Sequence, residues 1–149
     1  MAISTQFKNR INELTEETDL ARAELKTAMQ ISSSSFNNSL NYGIVPTPKT
    51  LVKIADYFQV SLAYLLGYDE TNDFVPSESH ETFQSRFTEL CSEKGLTHYK
   101  VANSCGFDKS LISRWYSKNY MPSLEIAELL ADHFGVTLDY LLGRSDFKN

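Results

Sequence analysis

The sequence repeats itself at a separation of 76 positions. When the chain is shifted by that distance, residues 7–67 align with residues 83–143 without a gap, and 17 of the 61 aligned positions are identical. The separation is too long, and the copies are too few, for a solenoid, whose units are typically about 20–50 residues long. The chain is therefore predicted to contain one small domain twice. The identical pairs are Phe7/Phe83, Arg10/Arg86, Glu13/Glu89, Leu14/Leu90, Glu17/Glu93, Leu20/Leu96, Ser34/Ser110, Pro46/Pro122, Ala55/Ala131, Asp56/Asp132, Phe58/Phe134, Val60/Val136, Leu62/Leu138, Tyr64/Tyr140, Leu65/Leu141, Leu66/Leu142 and Gly67/Gly143.

The chain of 149 residues has room for two such domains. A domain of about 65 residues has little interior, so each copy is predicted to be a compact helical bundle. We assign residues 1–67 to the first domain, 68–79 to a linker and 80–149 to the second domain. The linker sequence YDETNDFVPSES is acidic and polar and contains a proline, which is typical of connecting segments.

The composition favours a cytoplasmic protein with no membrane partner. No apolar run approaches the roughly 18 residues that span a bilayer, and residues 1–10 lack the apolar core of a signal peptide. A disulfide between Cys91 and Cys105 is not expected in that compartment. We predict that Cys105 is buried and that Cys91 lies on a helix surface. The net charge of −5 argues only weakly against a nucleic-acid partner, because the charge on one face matters more than the total.

Apolar residues recur with helical spacing in both copies, and no stretch alternates like a strand, so the predicted fold class is all-α. Caps and glycine stops place five helices in the second copy at about 80–94, 97–105, 108–117, 123–134 and 138–142, with Asp108 as the N-cap of the third. The first copy has the same plan, at about 5–18, 21–29, 32–41, 47–58 and 61–66.

The second and third helices of the second copy are joined by a short turn, Gly106-Phe107-Asp108. Two short helices with a tight, glycine-containing turn between them form a helix-turn-helix. The second helix of such a pair protrudes enough to enter the DNA major groove, which is about 12 Å wide.

The motifs around this turn occur in a characteristic order. They are Arg86, Leu90, Lys94-Gly95-Leu96-Thr97, Val101-Ala102, Cys105-Gly106, Ser110, Ile112-Ser113-Arg114, Pro122-Ser123-Leu124-Glu125 and the run from Phe134 to Gly143. On these residues the second copy resembles the Xre family of phage-repressor-type, lambda-repressor-like helix-turn-helix domains. The first copy is similar over fewer motifs, chiefly Ser34, Phe36, Pro46 and the run from Ile54 to Leu62. The resemblance implies two tandem five-helix DNA-binding domains, each of which places its third helix in the major groove of double-stranded DNA.

The resemblance also implies a set of DNA-binding residues in the second copy. Lys109 and Arg114 would donate to guanine O6 and N7, and Ser110 and Ser113 would read bases more adaptably. Thr97 and Lys100 would meet phosphates. Where the family usually carries glutamine, this chain has His98, which is expected to be a polar surface residue near the DNA. The full predicted set is Thr97, His98, Lys100, Lys109, Ser110, Ser113, Arg114 and Lys118.

The corresponding residues of the first copy are Ser33, Ser34, Asn37 and Asn38, of which Asn38 can pair with adenine N6 and N7. This copy departs from the family pattern, because Ala21 and Arg22 replace the capping hydroxyl and the glutamine, and Gln30 replaces the turn glycine. Residues 97–122 carry a surplus of three positive charges, whereas residues 21–46 carry a surplus of one. Because phosphate attraction supplies most non-specific affinity, we predict that the second copy binds DNA more strongly.

The predicted function is a sequence-specific transcriptional regulator, a repressor of prokaryotic or phage type, in which the two modules act as a covalent pseudo-dimer. A linker of twelve residues reaches roughly 40 Å when extended, enough for half-sites about 34–36 Å apart. The alternative is a protein-interaction or antitoxin-type module on the same scaffold, with little DNA binding by the first copy.

No enzymatic activity, cofactor or metal is predicted. The three histidines are 18 and 35 residues apart, and no histidine–cysteine cluster has the spacing of a zinc site. Two apolar segments, from Leu62 to Leu66 and from Leu138 to Leu142, leave two interpretations open. They pack inside their own bundles, or they support self-association.

Overall fold

The computed structural model describes residues 2–149 and divides into two compact units, one ending at Phe74 and the other running from Val75 to Asn149. All regular elements in this described part are helices, which confirms the all-α prediction, and its isolated β-bridge joins Ile3 to Ile44. The boundary falls inside the predicted linker, so its residues 68–74 belong to the first unit and its residues 75–79 belong to the second. None of the described helices is long and apolar enough to cross a membrane.

Unit 1 consists of five helices: α1 (Thr5–Glu16), α2 (Arg22–Met29), α3 (Ser33–Tyr42), α4 (Pro48–Phe58) and α5 (Leu62–Leu65). Serine hydroxyls at positions 4, 32 and 61 cap α1, α3 and α5 by accepting from the backbone N–H three residues later. The core side chains, which are at most 1% exposed, include Phe7, Ile11, Leu25, Phe36, Leu51 and Ile54.

Unit 2 also consists of five helices: α6 (Phe83–Lys94), α7 (His98–Cys105), α8 (Ser110–Lys118), α9 (Leu124–Phe134) and α10 (Leu138–Leu141). The hydroxyl of Thr82 caps α6, so this helix begins at Phe83 and not at residue 80. The cap that we predicted at Thr97 is confirmed, because its side chain accepts from the Lys100 N–H. The rings of Phe83, Phe87, Trp115 and Phe134 form an aromatic core, in which Phe83 stacks on Phe87 and the other contacts are edge to face.

The 76-residue separation also relates the backbone conformations of the two units. In unit 1 the left-handed conformation occurs at Asp19, Gln30, Gly43, Gln59 and Gly67. In unit 2 it occurs at Gly95, Gly106, Asn119, Gly135 and Gly143, each of them 76 positions later, and also at His80, which has no counterpart in unit 1. Gln30, Gly43, Gln59 and their counterparts are helix C-caps, so α2, α3 and α4 end at positions equivalent to the ends of α7, α8 and α9 even where the residue types differ. The first helices differ, because α1 ends two positions earlier than α6 does in the aligned numbering.

Each unit carries an arginine stacked on a tyrosine at equivalent positions. The guanidinium carbon of Arg10 lies 3.7 Å from the ring centroid of Tyr64, and that of Arg86 lies 4.0 Å from the ring centroid of Tyr140. Both pairs join the first helix of a unit to its last helix. The same side-chain contact therefore closes both bundles.

Candidate nucleic-acid interface

Helices α7 and α8 form the helix-turn-helix that the sequence predicted, with one difference at the turn. α8 begins at Ser110, with Lys109 as its helical N-cap residue, and not at Asp108. The Asp108 side chain accepts from the N–H of Ser110, the first residue of α8, at 2.8 Å, so it satisfies a free N–H at the helix start, as predicted, from one residue before the N-cap position. The turn therefore spans residues 106–109. The pKa of Asp108 is lowered, mainly by the hydrogen bonds from Ser110 and to a lesser extent by the charge of Arg114.

Two buried side chains attach α8 to the rest of unit 2. Ile112 and Trp115 are 1% and 2% exposed. The indole of Trp115 contacts the rings of Phe83, Phe87 and Phe107 at centroid distances of 5.3, 5.6 and 5.6 Å. The prediction that Trp115 packs in the core is confirmed, and this anchor leaves the opposite face of α8 open to solvent.

Polar side chains of α6 fix the C-terminal half of α8. The amide of Gln84 donates to the carbonyl oxygens of Trp115 and Tyr120, each at 3.1 Å. The hydroxyl of Thr88 lies 2.6 Å from the hydroxyl of Tyr116. The sequence analysis did not identify these two residues as part of the site. Their separation of four positions places them on one face of α6, but the sequence does not reveal the partner of that face.

The solvent-facing surface of α7 and α8 carries the predicted DNA-binding residues of unit 2. The exposed members are Thr97, Lys100, Lys109, Ser110, Ser113, Arg114 and Lys118. Four of them are cations: Lys100, Lys109, Arg114 and Lys118. Among the described residues 2–149, no acidic group lies within 4.0 Å of any of these four side chains. The structure therefore places four unpaired positive charges on the two helices of the motif.

His98 differs from the expectation of a surface residue. Its ring is partly buried and lies between Phe87, at 5.5 Å, and Tyr116, at 5.7 Å and nearly parallel. The imidazole therefore packs between α6 and α8 at the start of α7. Its neighbour Tyr99 is exposed and lies outside the predicted set of DNA-binding residues.

In unit 1, α2 and α3 occupy the corresponding positions, and Ser33, Ser34, Asn37 and Asn38 are exposed on α3 as predicted. The α3 sequence SSSFNNSLNY carries no charged residue. Arg22 donates to Oδ1 of Asn37 at 3.2 Å and to Oδ1 of Asn41 at 3.0 Å. Its guanidinium is therefore shared with the side chains of α3, in contrast to the unpaired cations of unit 2.

Two further expectations need correction or refinement. Cys91 is buried and Cys105 is half-buried, which reverses the predicted arrangement, because Cys91 lies on the inner face of α6.

Leu62, Leu65 and Leu66 are at most 2% exposed, and Leu141 and Leu142 are at most 5% exposed. These leucines thus pack inside their own units, and self-association through the two segments would have to use their half-buried residues, such as Ala63, Tyr64 and Leu138.

Residues 89–141 match the helix-turn-helix family, and the matched range includes the whole of α7, α8 and α9. No curated protein and no solved structure matches the chain. The match indicates a DNA-binding transcription regulator, and it places the DNA-binding motif in unit 2, where the unpaired cations lie.

Proposed function

We propose that the chain is a sequence-specific transcriptional repressor and that unit 2 contains its principal DNA reader. The observation that carries the proposal is the exposed face of α7 and α8, on which Lys100, Lys109, Arg114 and Lys118 are unpaired within the matched motif. Such a face attracts phosphates, while the helix it includes can enter the major groove. When the chain is bound to its DNA sequence, it would block access of other proteins to the same DNA. The proposal includes no enzymatic activity.

The residues of α8 have distinct roles in this proposal. Lys109 and Arg114 donate to guanine edges, and Ser110 and Ser113 contact bases or adjacent phosphates. Thr97, Lys100 and Lys118 meet the DNA backbone. His98 acts mainly by position, since its ring packs against Tyr116 and Phe87 and thereby holds α7 and α8 together.

Unit 1 is proposed to be a second, weaker reader, so that the chain acts as a covalent pseudo-dimer. The aligned identities, the equivalent left-handed residues and the two arginine–tyrosine stacks all support a common origin of the two units. On α3, Asn38 is available for adenine. Because Arg22 donates to Oδ1 of Asn37 and Asn41, these two amides offer their NH₂ groups outwards and suit acceptors such as phosphate oxygens.

A protein-interaction role for unit 1 is the second candidate. The uncharged α3 and the exposed ring of Tyr42, 63% accessible, favour this alternative. On this proposal unit 2 binds DNA, and unit 1 holds a partner protein.

Selection from a random duplex library tests the proposal. The wild-type chain is expected to enrich one motif, and the Arg114→Ala variant is expected to relax the guanine preference in one part of it. Lys49→Ala is the control, because Lys49 is an exposed cation on α4 outside both motifs. If the wild-type chain enriches no motif at low salt, the repressor proposal is wrong.

A further inference from the structure

The segment between the two units is attached to unit 1 through Asn72. Its Oδ1 accepts from the Ser61 N–H at 3.0 Å and from the Phe74 N–H at 3.3 Å, and its Nδ2 donates to the Gln59 carbonyl at 3.0 Å. Ser61 caps α5, and Gln59 ends α4. Asn72 therefore fixes the segment to the junction of the last two helices of unit 1.

The same segment is attached to unit 2 through Asp146. This carboxylate accepts from the Ser77 hydroxyl at 2.7 Å, from the Ser79 hydroxyl at 2.6 Å and from the Glu78 N–H at 2.9 Å. It also forms a salt bridge of 2.8 Å with Arg86, which is 3% exposed and stacks on Tyr140. The Ser77 N–H donates in addition to the Arg144 carbonyl at 2.8 Å. This second attachment therefore reaches the interior of unit 2.

The two attachments leave four residues, 73–76, between Asn72 and Ser77. Five residue steps reach about 18 Å at full extension. The twelve-residue linker expected from the sequence would reach roughly 40 Å. The covalent connection is thus less than half as long as the sequence alone predicts.

We infer that Asn72 and Asp146 determine which half-site separation the chain accepts on DNA, an inference that rests on the proposed function. A unit of this size has a radius of gyration of about 11 Å and hence a diameter of about 28 Å. With a connection of about 18 Å, the unit centres are at most about 46 Å apart. Half-sites one helical turn apart, about 34–36 Å, lie within that reach, whereas half-sites two turns apart, about 70 Å, do not.

Loss of both attachments would restore a connection of about 40 Å and a total reach of about 68 Å, close to two helical turns. Tethering raises affinity only when the linker can span the two sites. The short connection therefore excludes the wider arrangement. Release of the connection would bring it almost within reach, and eight residues inserted between the attachments would admit it, because thirteen residue steps reach about 47 Å and the unit centres could then lie about 75 Å apart.

The experiment is a selection of duplexes with the full-length chain and three variants, followed by affinity measurements on duplexes that carry the two selected halves one or two turns apart. The first variant, Asn72→Ala with Asp146→Ala, removes every side-chain bond of the two attachments and leaves only the backbone bond from Ser77 to Arg144. The second inserts (Gly-Ser)₄ between Phe74 and Val75 and leaves both attachments in place, which covers the case that the first variant folds poorly. The third, Asp73→Asn, changes one charge between the attachments and is the control. Hydrogen exchange at the Ser61 and Glu78 amides reports whether the attachments are present.

We expect the wild-type chain and Asp73→Asn to prefer one-turn duplexes by at least about tenfold. The chain with the insertion should lose most of that preference, and the variant without the side-chain attachments should lose part of it. Unchanged spacing preference in the lengthened chains would overturn the inference and leave the proposed function standing. A wild-type motif with a single half-site would also overturn it, since unit 1 would then not read DNA, while DNA binding by unit 2 would stand. If no motif is enriched, both proposals fail.

Discussion

The imidazole of His98 and the phenol ring of Tyr116 lie nearly parallel, with 14° between their planes and 5.7 Å between their centroids. This contact joins the first residue of α7 to the exposed side of α8. On its other side Tyr116 reaches Thr88 of α6. One tyrosine therefore connects three helices, because from α8, the candidate reading helix, it contacts both α7 and α6.

Tyr116→Phe removes the hydroxyl contact with Thr88 but keeps the stack on His98. We expect the free energy of unfolding to fall by about 0.5–1.5 kcal/mol, towards the lower end because both residues are partly exposed. Urea denaturation measures the change. Thr88→Val should have a similar effect, and the double variant should be no less stable than either single variant. Fully additive losses would show that the two hydroxyls do not interact.

The helical architecture could be predicted from the sequence because each helix has a local signal. Apolar spacing, hydroxyl caps and glycine stops mark both ends of most helices, and those signals act within four residues. The errors lie where a side chain had two local choices. Asp108 bonds to the N–H of Ser110 from one residue before the N-cap position of α8, and Thr82 caps α6 at Phe83, three residues after the predicted start.

The candidate site was predictable only in its exposed residues. Lys109, Arg114 and their neighbours follow from the register of α8, since the opposite face must bury Ile112 and Trp115. The contacts that support α8 depend on residues about 30 positions away, such as Gln84, and no local pattern reveals such a partner. The attachment of residues 77–79 by Asp146, nearly 70 positions later, escaped prediction for the same reason.

The two cysteines should differ in reactivity. Burial raises the pKa of the Cys91 thiol from 9.0 to about 11, so at pH 8 only about one molecule in a thousand carries the reactive thiolate there. Burial raises the pKa of Cys105 as well, but this residue is only half-buried. We expect iodoacetamide to modify Cys105 first in the folded protein, as measured by peptide mass spectrometry. In urea both cysteines should react at similar rates, and faster labelling of Cys91 in the folded state would contradict its placement.

Gln30 ends α2 in the left-handed conformation, with φ of 60°, where the equivalent residue of unit 2 is Gly106. Glycine adopts this conformation without the clash of a Cβ atom, so Gln30→Gly should raise the free energy of unfolding by about 0.5–1 kcal/mol. The backbone carbonyl that accepts from Lys53 is retained in the variant. Ala28→Gly, within α2, is the control and should be destabilising by about 1 kcal/mol. A Gln30→Gly protein no more stable than the wild type would show that this position is not strained.

Acid should weaken the attachment made by Asp146. Hydrogen bonds from Ser79, Ser77 and the Glu78 N–H, together with Arg86, lower the pKa of this carboxyl below its ordinary value of 3.8. A lowered folded-state pKa means that the ionised group contributes stability above pH 3.8 and that this contribution is lost as the pH falls towards the folded-state value. The difference in unfolding free energy between the wild type and Asp146→Asn should therefore be largest at pH 7 and should shrink below pH 4. Urea denaturation at pH 7, 4, 3 and 2 measures it, and a difference independent of pH would contradict the ionised attachment.

The charge difference between α8 and α3 predicts an unequal response of DNA binding to substitution and salt. Lys100→Ala should weaken binding to all sequences alike and reduce the slope of log affinity against log salt by about 0.9, because one phosphate contact is lost. Arg114→Ala should reduce the preference for the selected guanine by about 1–3 kcal/mol.

In unit 1, Arg22→Met should have a smaller effect than either change, since the guanidinium already donates to Asn37 and Asn41. Fluorescence anisotropy on one selected duplex and on one guanine-substituted duplex, at four salt concentrations, separates these effects. The two units would be equal readers if Arg22→Met and Asn38→Ala weakened binding as much as Lys100→Ala and Arg114→Ala. The asymmetry between the units would then have to be abandoned, because the unpaired cations of α7 and α8 would no longer distinguish the two readers.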